Sequence, residues 1–275
     1  MSATRARTAE VEITRRGLVP HLVGRRVETV VVRNRNLRWP IARNLGSRIS
    51  GSTVRSVERR AKYLLIGCGS GWLIVHLGMS GSLRVLPRAT PAGKHDHFDL
   101  VIDSGLIVRL TDPRRFGAVL WEARDPHAHP LLANLAPEPL GAEFNAGWLH
   151  AHTRGRSAAI KTVLMDSHTV VGVGNIYASE SLFRAGIHPK TVAGKISRER
   201  CDRLVQAIRE TLSAAIDAGG STLRDFVGSD GNPGYFQQNY YAYGRGGEPC
   251  RVCGKTIRLL RQGQRATFFC PQCQS

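Results

Sequence analysis

The sequence predicts an α+β protein with a β-rich N-terminal half, a helical middle and a small metal-binding ribbon at the C-terminus. Three observations support this prediction: short apolar runs separated by turn residues, later segments with helical periodicity, and two C-x2-C pairs near the end. A length of 275 residues, 42% of them hydrophobic, suggests about two domains and is enough to bury a substantial core.

The first half has the pattern of an antiparallel β protein. One helical candidate, near Val11 to Leu22, precedes a series of short β-branched or apolar runs. Gly, Asp, Asn and Pro separate these runs at short intervals, which is typical of a sandwich or barrel. The predicted strands are Val27 to Val32, Tyr63 to Ile66, Trp72 to Leu77, Phe98 to Ile102, Ile107 to Leu110 and Ala118 to Trp121.

The pattern becomes helical after Pro137-Glu138-Pro139. The last helical segment is the clearest, because its apolar side chains fall on one face and Gly219-Gly220 ends it. Residues 221–247 are rich in Gly, Asn and Tyr and are expected to form a long loop leading to the ribbon, of the kind that is usually functional. The helical candidates are residues 158–165, 176–185 and 197–218. The predicted domains are residues 1–137, 138–240 and 241–275.

The C-terminal ribbon carries the strongest chemical signal. Two C-x2-C pairs at this separation can close a tetrahedral four-cysteine site, which is the structural arrangement that zinc prefers. The proposed ligands of one structural zinc ion are Cys250, Cys253, Cys270 and Cys273. Two disulfides in a secreted module are the alternative, which we disfavour because no secretory signal peptide is evident. Cys68 and Cys201 lie in apolar surroundings and are expected to be core thiols.

The charge balance favours a polyanionic partner. Lys and Arg number 39 against 21 Asp and Glu, which gives a net charge of +18. Such an excess attracts double-stranded DNA or RNA. A membrane is disfavoured because no apolar run approaches the length of about 18 to 20 residues that is needed to span a bilayer.

Several strings, taken in order with the ribbon, resemble bacterial formamidopyrimidine-DNA glycosylases from about Glu10 to the C-terminus. The resemblance implies an N-terminal β-sandwich, a helix–two-turn–helix domain, a zinc finger and a cytoplasmic, monomeric enzyme. The implied substrate is double-stranded DNA that contains oxidised purines or abasic sites. Such an enzyme flips the damaged purine out, cuts the glycosidic bond and nicks the strand by β- and δ-elimination. The strings are RRAKYLL at residues 59–65, HLGMSGSL at 76–83, KHDH at 94–97, TDPRRFG at 111–117 and VGVGNIYASE at 171–180.

The resemblance assigns three residues to the space that a flipped base leaves in the duplex. An apolar wedge can replace lost stacking, and an arginine can hydrogen-bond the orphaned base. Met79, Arg114 and Phe116 match this void-filling set. Without the resemblance, Met79 and Phe116 would be interpreted as core residues.

Other residues match contacts to the DNA backbone or catalytic groups. Gly172-Val173-Gly174-Asn175 opens a helix, whose N-terminal N–H groups can bind phosphate. By resemblance this is a phosphate-binding turn to which Asn175 adds a side-chain donor; on its own, an ordinary tight turn is the commoner interpretation. Lys161, His95 and Arg156 match further DNA contacts. Lys62 matches a proton donor for elimination, and Arg265 matches a ribbon arginine that grips phosphates and is implicated in δ-elimination.

The N-terminus departs from the family. Members begin Met-Pro-Glu-Leu-Pro-Glu, with the proline amine as nucleophile and the next glutamate as general acid/base. Here Ala6 and Arg7 stand at those two positions before Glu10, and four residues are added. A guanidinium cannot shuttle protons as a carboxylate does. A single-base deletion near the start codon would convert the family start into Arg5 to Glu10, so we suspect a sequence error or a frameshift.

Three hypotheses follow from the sequence. The first is an oxidised-purine DNA glycosylase with abasic-site lyase activity. The second is a catalytically impaired protein that binds damaged DNA or abasic sites, because the Pro-Glu pair is absent. The third, a zinc ribbon that binds nucleic acid by charge alone, is disfavoured by the void-filling residues. A lesion-capping loop is expected between Ser221 and Tyr241.

Overall fold

In the computed structural model, which describes residues 8–78, 80–219 and 240–275, the first half of the chain forms two four-stranded antiparallel sheets. One sheet has the order β1-β6-β7-β5 and the other β2-β3-β4-β8. Their apolar faces share one core with helix α1. The strands are β1 (Val27–Val32), β2 (Val54–Arg60), β3 (Tyr63–Cys68), β4 (Gly71–His76), β5 (Ser82–Pro87), β6 (Asp96–Ile102), β7 (Leu106–Thr111) and β8 (Ala118–Glu122), and the helices are α1 (Thr8–Leu22) and α2 (Leu45–Ile49).

The predicted β-sandwich is therefore confirmed, and the structure adds two strands that the sequence pattern did not reveal. Strand β2 carries charged residues at several of its seven positions, which hides its half-buried alternation. Strand β5 contains Arg84 and ends at Pro87, and it lies at the edge of its sheet, where a proline is tolerated. In both strands, pairing with a neighbour overrides weak local preference.

The second compact unit joins Asn134–Asp217 to residues 240–275. Helix α6 buries Cys201, Leu204, Val205 and Ile208 at helical spacing, as predicted. Helix α3 was not predicted; it begins at an Asn145 side chain that accepts a hydrogen bond from the Trp148 N–H. The helices are α3 (Ala146–Thr153), α4 (Ile160–Leu164), α5 (Asn175–Arg184) and α6 (Arg198–Asp217), and the ribbon strands are β9 (Arg258–Gln262) and β10 (Arg265–Phe269).

A buried carboxylate ties helix α5 to the segment that leads into the ribbon. The Glu180 side chain accepts hydrogen bonds from the backbone N–H groups of Tyr241, Ala242 and Tyr243, at 2.9, 2.9 and 2.7 Å. Three N–H donors around one carboxylate satisfy its charge away from water. This contact fixes where the chain enters the ribbon after the expected capping loop, most of which lies outside the described residues.

Within the described part of the chain, no helix is both long and apolar enough to cross a bilayer.

Candidate metal centre and nucleic-acid interface

The four ribbon cysteines lie in one cluster. Their sulfur atoms are all within 4.8 Å of one another, with Cys250 and Cys273 Sγ 3.9 Å apart and Cys253 and Cys270 Sγ 3.4 Å apart. A tetrahedral zinc with Zn–S bonds of about 2.3 Å would separate its sulfurs by about 3.8 Å. The donor set and spacing therefore fit one structural zinc ion, as predicted.

Backbone donors support this cluster. The N–H of Val252 points to Cys250 Sγ and the N–H of Cys273 points to Cys270 Sγ, both at 3.4 Å. Such donors stabilise thiolate charge and orient the ligands. The other two cysteines, Cys68 and Cys201, are buried, which confirms that they are core thiols. Burial raises the pKa of the Cys68 thiol to about 11.

Two predicted DNA-contact residues meet at one backbone atom of the ribbon. Lys161 Nζ and Asn175 Nδ2 both donate to the carbonyl of Ala266, at 3.1 and 3.0 Å. Lys161 Nζ also donates to Thr267 Oγ1 at 2.7 Å. Helices α4 and α5 are thereby joined to strand β10, although the residues concerned lie about a hundred positions apart in the sequence.

An isolated lysine is usually solvated, but Lys161 is buried, with only 1% of its surface exposed. Burial, and then the charge of Arg265, lower its pKa to about 7. The neighbouring Asn175 Oδ1 is buried without a hydrogen-bond partner among the described residues. This junction therefore holds an amine that is costly to protonate, Lys161 Nζ, and a buried acceptor without a hydrogen bond from the described residues, Asn175 Oδ1.

A cavity of about 290 Å³ lies between helix α4 and the ribbon hairpin. Lys161 and Arg265 both line it, and Arg265 Nη1 lies 3.8 Å from Met165 Sδ. Asp166, also at the cavity, holds Arg156 in a salt bridge of 3.4 Å. The structure thus brings Arg156, Lys161, Asn175 and Arg265 into one region of this unit, and their roles in DNA contact stay predictions.

Helix α5 begins in the way that an anion site requires. Gly172 has φ +78°, a conformation that L side chains rarely adopt. Gly174 caps the helix without a side-chain hydrogen bond, and a Cβ placed on it would meet no atom within 4 Å. The first-turn N–H groups and the space before Gly174 are consistent with the predicted phosphate-binding turn.

In the β unit, Arg114 and Phe116 lie together on the loop between β7 and β8. The Arg114 guanidinium carbon is 4.8 Å from the centre of the Phe116 ring, and Phe116 is 41% exposed. A phenylalanine would by its type alone be expected in the core, and this exposure shows that Phe116 is not a core residue. Met79 lies outside the described residues. The carbonyl of half-buried His95 accepts the N–H of Asp112, which begins this loop.

Lys62 lies at the turn between β2 and β3, next to Ala61, which has φ +53°. Arg59 supports this turn because its Nη1 donates to the Ala61 carbonyl at 3.0 Å while its Nε donates to Glu12 at 3.1 Å. Burial alone would raise the pKa of Glu12, but hydrogen bonds from Arg15 and its basic neighbours lower it to about 2. Helix α1 is thus anchored beside Lys62 by an ion-pair network.

Sequence reasoning missed four polar residues that organise these loops: Glu12, His76, Asp112 and Glu180. The imidazole of His76 accepts the Gly78 N–H at 3.0 Å. Burial, followed by the charges of Lys62 and Arg38, lowers its pKa to about 4, so it is neutral near pH 7. His76, Asp112 and Glu180 lie inside the strings that carry the family resemblance. That resemblance was the only sequence signal that could have pointed to them.

Family models match most of the chain. Residues 7–119 match the formamidopyrimidine-DNA glycosylase N-terminal domain, and residues 135–227 match its H2TH domain. Residues 247–275 match a zinc finger found in FPG and IleRS.

Curated relatives are similar over nearly the full length. The formamidopyrimidine-DNA glycosylase of Cupriavidus pinatubonensis is 61% identical over 279 residues, covering 96% of this chain and 98% of its own. That of Stutzerimonas stutzeri is 60% identical over 265 residues, with the same coverage.

Solved structures agree. The MutM (FPG) protein of Thermus thermophilus is 37% identical with a TM-score of 0.85, covering 98% of both chains. Lactococcus lactis Fpg in complex with abasic-site DNA is 31% identical with a TM-score of 0.89, covering 98% of this chain and 99% of that one.

Protein purified without chelator should contain about one zinc per chain, because four thiolates at this spacing form a closed tetrahedral site. Replacing Cys253 with Ser should reduce the zinc content and destabilise the ribbon. The matched control is Cys201→Ser, a buried cysteine outside the cluster, which should keep its zinc. Metal analysis of the three proteins checks this, and a folded ribbon without metal would contradict it.

The pKa of Lys161 predicts a pH-dependent stability. Between pH about 7 and 10.5 the unfolded chain holds a proton on Lys161 that the folded chain has released, so the free energy of unfolding should rise with pH in this window. Lys161→Met should make that rise smaller, whereas Lys195→Met, which removes an exposed lysine, should leave it unchanged. Chemical denaturation at pH 7 and pH 9 measures the slope. Equal slopes in all three proteins would contradict the assignment.

Proposed function

Because this chain belongs to the formamidopyrimidine-DNA glycosylase family, a family of base-excision DNA glycosylases, we propose that it acts on duplex DNA at oxidised purines and abasic sites. With the family's Pro-Glu start in place, the enzyme releases the damaged base and nicks the strand by β- and δ-elimination. The observation that carries the proposal is the exposed Phe116 stacked with Arg114 on one loop. A large exposed aromatic beside an arginine is suited to enter a duplex, replace a flipped base and hydrogen-bond its former partner.

The second unit supplies the backbone contacts. Lys161, Asn175 and Arg265 lie around one junction, with the open N-terminus of helix α5 beside Asn175. A DNA phosphate bound there would stabilise the charge of Lys161 and meet N–H donors of the helix. Arg156, held by Asp166, and His95 in the β unit are further proposed contacts.

The catalytic assignments combine Lys62 with Arg265. Lys62 donates a proton during elimination, and Arg265 grips the phosphates next to the lesion and assists δ-elimination. In the family the nucleophilic amine and the general acid/base come from the Pro-Glu start, and here Ala6 and Arg7 stand at those positions. DNA recognition by the rest of the chain does not require that pair, whereas cleavage of the glycosidic bond does.

The zinc ion held by the four cysteines contributes folding energy to the hairpin that carries Arg265. The proposed domains are residues 1–137, 138–240 and 241–275, with the lesion-capping loop in the second. We place the protein in the bacterial cytoplasm, associated with the nucleoid through its affinity for DNA, as a monomer.

Borohydride trapping on an 8-oxoguanine duplex tests the catalytic part. Two forms are compared: this chain, and one that begins Met-Pro-Glu-Leu-Pro directly before Glu10. We expect a covalent adduct from the restored form, because an N-terminal amine, with a reference pKa of roughly 7.7–8.0, is unprotonated near neutral pH far more often than a lysine, at about 10.4. This chain should bind the duplex without forming that adduct. Comparable trapping by both forms would mean that another amine is the nucleophile.

Two substitutions separate charge from lesion recognition. Arg265→Ala should weaken binding to damaged and intact duplexes alike and reduce the dependence on salt, because it removes one phosphate contact. Phe116→Ala should chiefly reduce the preference for damaged DNA. The control is Arg203→Ala on helix α6, which removes an exposed charge already paired with Glu199. Titrations at several salt concentrations provide the measurement, and an unmodified protein that binds damaged and intact duplex equally would contradict the proposed function.

A further inference from the structure

The loop that carries Arg114 and Phe116 is built around one buried carboxylate. Asp112 is completely buried. Its Oδ2 accepts the Gly117 N–H at 2.7 Å, and its Oδ1 accepts the Arg114 N–H at 3.3 Å. One side chain therefore holds both ends of the segment that contains Phe116, and this segment includes Arg115 with φ +56°.

The same carboxylate connects this loop to the turn between β4 and β5. Ser80 Oγ donates to Asp112 Oδ1 at 3.3 Å. The two backbones also touch, because a Cβ on Gly78 would lie 2.6 Å from the carbonyl carbon of Phe116. Gly78 and Ser80 are thus held directly against the loop from Asp112 to Gly117.

The main chain of Asp112 is fixed as well. Its N–H donates to the His95 carbonyl at 2.9 Å, and its carbonyl accepts from His97 Nε2 at 2.9 Å. Among the described residues, no salt bridge reaches the Asp112 carboxylate, whereas the buried Asp99 is paired with Arg33 and Arg109. The charge of Asp112 is therefore satisfied by neutral donors of the two turns.

The chemistry of those donors explains why a carboxylate is required. Gly117, Arg114 and Ser80 all present hydrogens, so the central group must accept at both of its oxygens. An asparagine of the same shape would turn an N–H donor toward one of them. A group that accepts in every direction is the one that closes the loop in a single conformation.

We propose that Asp112 and Ser80 are positioning residues that set the specificity for the base opposite the lesion, by holding Arg114 and Phe116 in one fixed arrangement before DNA binds. This inference rests on the proposed function, because it concerns the residues that we assign to the flipped-out base. A preorganised Arg114 distinguishes the base opposite the lesion, whereas a loosened loop would bind several opposite bases with similar affinity.

The test measures affinity for duplexes that contain a tetrahydrofuran abasic analogue opposite cytosine or adenine, and for an intact duplex. Asp112→Asn should lower the cytosine-to-adenine affinity ratio by about tenfold, as expected for loss of a hydrogen bond to a charged group. Ser80→Ala should lower the ratio by roughly threefold, and Ser80→Thr, which keeps the hydroxyl, should restore it. Affinity for intact duplex should not change.

Asp99→Asn is the matched control, because it also alters a buried carboxylate of the same unit. It should reduce thermal stability and leave the ratio unchanged. The inference is overturned if Asp112→Asn and Ser80→Ala keep the ratio of the unmodified protein, or lower all affinities by one factor. If Asp112→Asn does not fold, the Ser80→Ala and Ser80→Thr pair decides the question. An unmodified protein that does not prefer damaged DNA would instead refute the proposed function.

Discussion

The carbonyl of Ala266 is the atom on which the proposed DNA-backbone site of the helical unit depends. Lys161 on α4 and Asn175 at the start of α5 both donate to it, so two helices and the ribbon strand β10 meet there. Arg265 is the preceding residue of that strand, and its position follows directly from this junction. The zinc cluster and the Glu180 carboxylate fix the two ends of the ribbon segment, and the Ala266 junction fixes its middle.

The electrostatics of this junction favour an anion. Lys161 is buried next to Arg265, and this surrounding lowers the pKa of Lys161 to about 7. Burial beside Arg265 disfavours the charged form of Lys161 in the free protein, and a bound phosphate would stabilise that charge. The same arrangement makes affinity depend on salt, since phosphate contacts release counterions. The Asn175 Oδ1 at this junction, unsatisfied within the described part of the chain, is the kind of local departure that is expected at a functional site.

Local sequence signals predicted the parts of the structure that depend on local chemistry. The cysteine spacing predicted the metal cluster, and the apolar face of residues 197–218 predicted helix α6. The burial of Lys161 was not predictable, because its partners lie about a hundred residues later in the sequence. The exposure of Phe116 was likewise invisible to composition, since it arises from a loop that the Asp112 carboxylate closes and holds against Ser80, 32 residues earlier. Strand β2 was missed because sheet neighbours, not its own residues, determine its conformation.

A crystal structure of this chain with a duplex that contains an abasic analogue tests the central claim most directly. The account predicts one backbone phosphate within hydrogen-bond distance of Lys161 Nζ, Asn175 Nδ2 and the Arg265 guanidinium, at the N-terminus of helix α5. It would be contradicted by a complex in which Lys161 and Asn175 keep their bonds to Ala266 and no phosphate contacts any of the three side chains.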